Sequence, residues 1–476
     1  MLDLLIRGGT VVTPHQTGQF DVAVSGEKIV AVALPGTMTY EALRVLDARG
    51  KIVVPGGIEP HTHLAHFVAM HPEDNLYTMG PEEDTRGMAF GGTTTHIDFC
   101  FIRPGMDFWQ TLEQRTARWQ GKSYVDYSFH IALGGALPLD IFDHIPEAIR
   151  RGFPSFKVFT VDVLPPHPKR PPYRLDFGRI QLAMEKVAAS GGIMVVHAED
   201  HDLVHTMYER LEQEGRTQGW NMPLARSKTS ELLAFRRTVQ LAERMKAGVY
   251  FVHTSAREGV EVVAEARGRG LPVYAETLHH YATFDAEDYK KPRGYIYHTY
   301  PSLKYKEDRD ALWHGLLTGP VATVGTDEFP TTLDVKLKGN TISNVTGGNL
   351  GAEARVGIVY SEGVAKRGMS LQRFVEVTSA NAARILGLYP RKGAIAAGSD
   401  ADIVLIDPAV RKTLTRDDFH VSDYSPWEGW TVEGWPVTTI LRGKVIADQG
   451  RLHGSLSDGQ LIPRQIDARV LSQPAC

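Results

Sequence analysis

Cysteine is nearly missing: the 476 residues hold two, Cys100 within an apolar run and Cys476 at the end. This excludes a disulfide framework and a Cys-ligated zinc ribbon, and a reducing cytoplasm fits best. No stretch approaches ~18 consecutive apolar residues, and the opening MLDLLIRGGTVVTP lacks a basic segment leading into an apolar one, so neither a membrane span nor an export signal is expected. Neither charge sign dominates. The 52 basic against 56 acidic residues leave a net charge of -4, and the densest basic run, HPKRPPYR at 167–174, is short, broken by proline and reads as a solvated loop. Nucleic acid is therefore not an expected partner. Internal repeats and low-complexity segments are absent, as is a Gly-rich phosphate loop after any early strand, which argues against a doubly wound sheet.

What is present is an ordinary globular composition, 42% hydrophobic and 23% charged, with a two-part texture. Residues 1–55 and 390–455 read as short Val- and Ile-rich strands between Gly and Pro turns. Segments so far apart share a core if they form one small β-sandwich with the middle inserted. Residues 56–389 alternate apolar runs with helical patterns, as in SFKVFT followed by FGRIQLAMEKVAAS, or GIMVVHAED followed by HDLVHTMYERLEQEG. Their number and length predict an α/β fold, a (β/α)₈ TIM-type barrel inserted in the sandwich. Residues 456–476 are polar and unpatterned and read as a loosely held tail.

Several apolar runs end in a potential ligand, where a barrel places its active site. His61 and His63 alternate on one face of PGGIEPHTHL. Lys157 lies inside SFKVFT, and a buried lysine that sheds its proton can take up carbon dioxide as a carbamate whose two oxygens bridge two ions. His197 and His253 each close a run, and Asp327 follows VATVGT. Singly, each has a plain structural explanation: a loop-capping or backbone-bonded imidazole, a lysine reaching for solvent, a helix N-cap. Jointly they give six nitrogen and oxygen donors at one barrel mouth, too many for a single tetrahedral zinc and suited to a pair of divalent ions.

The segments PGGIEPHTHL, GGTTTHIDF, SFKVF, VHAED, VHTSAREG, AETLHHY, ALWHGLLTG, VGTDEFP, TSANAARILGL, GAIAAGSDADIVLIDP and the closing WEGW and ILRGKVI strings span nearly the whole chain. Through them the sequence resembles the hydantoinase and dihydropyrimidinase family of the amidohydrolase superfamily. The resemblance implies that His61 and His63 with Asp327 hold one metal ion and His197 and His253 a second. It also implies a bridging N6-carboxylated Lys157, Asp327 as the catalytic proton carrier, a small cyclic amide or imide as substrate, and a homotetramer or homodimer. Zinc leads among the ions, and nitrogen and oxygen ligands also admit manganese or cobalt.

Departures from the family cluster around the expected substrate. Asp162 stands where the family has a tyrosine that donates to the oxyanion. Tyr300 stands where it has a serine, with Ser302 two residues on, and Tyr300 offers a phenol in exchange. Asn344, or Asn349 if the loop is inserted, takes the ring-binding asparagine's place, and Glu328 replaces a usual histidine. The segment after Lys157 is longer and richer in proline, and HTHLAHF lacks the usual proline. The expected function is thus a binuclear hydrolase that opens a cyclic amide or imide, with a rebuilt pocket in which Asp162, Tyr300, Ser302 and Asn344 contact the substrate. The alternatives are an allantoinase- or dihydroorotase-like enzyme, a mononuclear deaminase, which Lys157 disfavours, and a non-catalytic scaffold, which the six intact donors disfavour. No arginine stands out from the sequence as placed to receive a carboxylated ring.

Overall fold

The computed structural model describes residues 1–38 and 41–476. The first 55 residues supply β1 (Leu2–Val12), β2 (Thr17–Ser25), β3 (Lys28–Ala33), β4 (Ala42–Asp47) and β5 (Ile52–Pro55). The chain then passes through Gly56, where a Cβ would lie 2.1 Å from the Thr94 hydroxyl, so only glycine fits this crossing. Eight parallel strands follow: β6 (Gly57–Thr62), β7 (Thr93–Ile102), β8 (Asp126–Leu133), β9 (Ser155–Phe159), β10 (Ile193–His197), β11 (Val249–Phe251), β12 (Val273–Leu278) and β13 (Val321–Gly325). They pair in sequence order. The ring closes just beyond the strand ends, where the Glu328 amide donates to His61 O (3.0 Å) and the His63 amide to Glu328 O (2.6 Å).

Helices between the strands form the outer layer, and their ends follow ordinary capping chemistry. Asp107, Asp176, Asp200 and Ser227 each accept an amide of the first turn of the helix they open, a bond worth ~1 kcal/mol. Helix Phe177–Ser190 stops at Gly191 in the left-handed conformation. Among the described residues no helix is long and apolar enough to cross a membrane.

The terminal segments form one mixed sheet with β14 (Ile403–Thr413), β15 (Thr431–Leu441), β16 (Lys444–Asp448) and β17 (Arg451–Leu452). Its order is β17-β16-β15-β14-β5-β1-β2-β3, with β4 on β1. The sheet folds over its own core, because Ile29 of β3 and Val445 of β16, near opposite ends of that path, belong to one buried cluster. The Ala401 amide donates to Glu27 O and the Gly443 amide to Ala401 O, joining the two wings.

Two features depart from the sequence expectations. Strand β8 is not an apolar run, because Asp126, Ser128 and His130 interrupt it at every second residue. That period places the three on one face of the strand. They are satisfied there: Asp126 pairs with Lys392 (2.7 Å) and Arg442, Ser128 accepts from Arg464 (2.8 Å), and His130 bonds Ser155 Oγ (2.7 Å) and Pro60 O (2.9 Å). The tail is not loose. Ile462, Ile466 and Val470 are buried among Ile58, Ile193, Val195 and Tyr250. Arg464 donates to Ser128 Oγ, Phe129 O, Ser155 Oγ and Leu386 O, so residues 461–470 plug the barrel at the N-terminal ends of its strands.

Candidate active site

At the opposite, C-terminal ends of the strands lies a cavity of about 800 Å³ including its mouth, and His61, His63, Lys157, His197, His253 and Asp327 all line it. The structure therefore brings all six expected donors together, from β6, β9 and β10 and the turns after β6, β11 and β13. His253 and Asp327 both adopt left-handed backbone, with φ of 40° and 51°. Left-handed backbone is uncommon outside glycine, although aspartate and histidine enter it more readily than most residues, and here both do so where the donors converge.

One half of the cluster is a triangle. Asp327 Oδ1 lies 3.0 Å from His61 Nε2 and 3.1 Å from His63 Nε2, and the two imidazole nitrogens are 3.2 Å apart. A tetrahedral ion held at about 2.0 Å by each ligand sets its donors roughly 3.3 Å apart, so the triangle has the edge length of one face of such a site. The other half is short of partners. Lys157 is fully buried, its Nζ has no hydrogen-bond partner, and it stands 4.9 Å from the centre of the Phe159 ring. Burial pushes the amine down to about 7, against the pull of Asp327 and Glu276. The rings of His197 and His253 meet with centres 4.5 Å apart, and His253 Nδ1 is buried without a partner.

Buried carboxylates outside the cavity orient these donors. Glu276 of β12 accepts from His61 Nδ1 (2.9 Å), the His253 amide (3.1 Å) and the Tyr250 hydroxyl (2.8 Å), which turns His61 Nε2 toward Asp327. Burial works against charge on His61, yet Asp327 and Glu276 raise it to about 9. Glu199 accepts from His197 Nε2 (2.9 Å) and pairs with buried Arg226, leaving Nδ1 as the free nitrogen. Glu59 accepts from the His61 and Thr326 amides (3.0 Å each) and pairs with Arg355 (2.9 Å), tying β6 to the end of β13. Asp98 fixes the segment after His63 by accepting from the Leu64 amide (2.8 Å) and Arg115 (2.6 Å). Sequence reasoning missed Glu59, Asp98, Glu199 and Glu276. Their signal was a carboxylate in or beside an otherwise apolar strand, where an unpaired charge is too costly to keep.

Only Tyr300 of the four expected substrate contacts lines the cavity, and it does so with its ring, which presses on Gly347. Its hydroxyl donates to Val345 O (3.2 Å) and is not free to supply the missing phenol. Asp162, Ser302 and Asn344 are not on the wall. Asp162 Oδ1 accepts the amides of Tyr173 and Arg174 (2.9 Å each), Ser302 accepts from Lys304 (3.3 Å), and exposed Asn344 accepts the Asn340 and Thr341 amides. These short polar side chains serve nearby backbone or an adjacent lysine first. Asn349 is buried beside the site and donates to Thr326 O (2.9 Å). Glu328 faces away and accepts the Gly351 and Ala352 amides (2.8 Å each). The basic run is no free loop either. Arg170 donates to Ala69 O, Pro165 O and Ser343 O, and Val163, Leu164 and Tyr173 of this segment form cavity wall.

Residues 168–446 match the amidohydrolase family. The chain is 33% identical to a D-hydantoinase of Geobacillus stearothermophilus, covering 97% of this chain and 96% of the relative. It is 34% identical to a D-hydantoinase of Ralstonia pickettii, over 98% of this chain and 99% of that one. The crystal structure of a dihydropyrimidinase from Brevibacillus agri superposes with a TM-score of 0.90 at 32% identity, covering 98% of this chain and 99% of that one.

Proposed function

From the premise that this chain belongs to the amidohydrolase family, we propose that it is a binuclear metal hydrolase that opens a cyclic amide or imide. The observation that carries the proposal is the buried, unpartnered Lys157 amine among His61, His63, His197, His253 and Asp327. A neutral amine there condenses with carbon dioxide and releases a proton, giving a carbamate that serves both halves of the donor set. His61, His63 and Asp327 would hold one ion, His197 and His253 the other. When bound, the two ions supply Lewis acidity and lower the pKa of water.

The remaining work falls to the chain. Asp327 is ionised, since His61 and His63 outweigh the burial that favours its neutral form. With Oδ1 turned to the two imidazoles, its second oxygen is left to take a proton from the attacking water and return it to the ring nitrogen as the C–N bond breaks. The product is a carboxylate and a free N–H. Aromatic and aliphatic walls, including Phe101, Phe159 and Phe329, exclude water and suit a ring carrying a substituent better than a bare one. The test is a panel of five- and six-membered cyclic amides and imides incubated with the zinc-, manganese- or cobalt-loaded protein and scored by mass spectrometry. Gain of one water by substituted rings is expected; no gain by any ring overturns the proposal.

A further inference from the structure

The cavity contains one residue whose chemistry the hydrolytic reaction does not require. Arg103, in the turn after β7, lines the wall among aromatic side chains. Its guanidinium lies 4.7 Å from the centre of the Phe101 ring and 5.5 Å from that of Tyr173. Among the described residues no carboxylate lies within ion-pair distance of it, and its buried Nε has no hydrogen-bond partner. The other arginines near this mouth are committed. Arg115 pairs with Asp98, Arg226 with Glu199, and Arg170 spends its donors on backbone carbonyls. The Tyr173 hydroxyl oxygen accepts from the guanidinium, and the remaining N–H donors of the fork are open to a planar anion, which they can bind through two parallel N–H bonds.

Its position limits where that anion sits on the substrate. Lys157 Nζ adjoins the Phe159 ring, the Phe159 and Phe101 rings stack with centres 6.1 Å apart, and Arg103 covers Phe101. Two aromatic rings thus separate the reacting centre from the guanidinium, a gap spanned by a short side arm rather than by a group on the ring itself. The Tyr173 ring, 5.3 Å from Phe159, stands beside the same path.

We propose that Arg103 selects cyclic amides or ureides whose ring carbon bears a short acidic arm, such as carboxyethyl, with the arm's carboxylate bound by the guanidinium. This rests on the hydrolase reading above. Ring opening of such a compound gives a dicarboxylate, with the arm unchanged by the reaction.

The test uses the metal-loaded full chain and two hydantoins of matched shape, one with a carboxyethyl arm and one with the neutral carbamoylethyl arm. The parent is expected to favour the acidic arm in kcat/KM by at least about tenfold, the scale of one charge-assisted hydrogen bond, chiefly through KM. Arg103→Gln should erase that preference, and Arg103→Lys should retain part of it, because the charge stays while the fork is lost. Equal rates on both arms in the parent, or a preference that survives Arg103→Gln, overturns the assignment and leaves Arg103 as wall. Hydrolysis of neither arm, alongside hydrolysis of other substituted rings, also overturns it while sparing the hydrolase reading. Hydrolysis of no ring at all brings down both.

Discussion

At the floor of the barrel Arg464 is buried with no carboxylate beside it, yet it finds four oxygen acceptors. Lys392 sits between Asp126 (2.7 Å) and Asp402 (2.5 Å). At the mouth, Lys157 Nζ and His253 Nδ1 are equally buried and have nothing to bond. Both ends belong to one sheet with the same strands. Buried polar groups left unpaired cost ~1–3 kcal/mol each. Around Arg464 and Lys392 the tail and neighbouring carboxylates supply the partners, whereas at the mouth the donors face one another beside two residues in left-handed backbone. Basic groups paired at the floor, and nitrogen and oxygen donors converging at the mouth, mark the difference between a structural plug and a set of residues that fits divalent cations.

The sharpest way to break this contrast is Lys157→Ala. The amine bonds nothing in the fold, so the variant should stay folded by circular dichroism while losing most bound metal and nearly all turnover. Full metal content with normal activity would make the mouth structural, like the floor. Asp327→Asn should keep the fold and much of the metal, with turnover falling by ~10² or more, the usual scale for a general acid/base. Steady-state kinetics equal to the parent's would remove Asp327 from proton transfer. Glu276→Gln probes the layer behind the donors. It should weaken metal affinity by ~10- to 100-fold in a chelator titration, because His61 loses the carboxylate that fixes its tautomer. Arg464→Met tests the other end. Stranding its acceptors should lower unfolding stability by ~3 kcal/mol in denaturant while metal content stays at the parent's level. Metal loss in that variant would show that the two ends are not independent.

How far the sequence revealed this site depended on where each residue sits. His61, Lys157, His197 and Asp327 punctuate apolar strands, so strand periodicity announces them. Glu276 sits in a strand too, as VYAETL, but a lone carboxylate gives no hint of which imidazole it will orient. Arg103 and Tyr173 come from connecting segments, where no periodicity says which way a side chain points, and only the folded chain shows them on the wall of the cavity that Lys157 also lines. Asp162, Ser302 and Asn344 stand at positions that the family resemblance alone singles out. Their side chains are taken up instead by local amides or by Lys304. The tail hid a usable signal: Ile462, Ile466 and Val470 recur every fourth residue, and the polar composition between them masked it. In β8 the alternation of Asp126, Ser128 and His130 breaks an apolar run because its polar side answers to Lys392 and Arg464, residues more than 260 positions away in the chain.

The measurement that bears most directly on the account is metal stoichiometry in the intact protein, purified without chelator and in the presence of bicarbonate, determined by plasma mass spectrometry. The contrast between the two barrel ends predicts close to two divalent ions per chain, lost together in Lys157→Ala and unchanged in Arg464→Met. A parent that holds one ion or none under these conditions, even after zinc, manganese or cobalt is supplied, would contradict it.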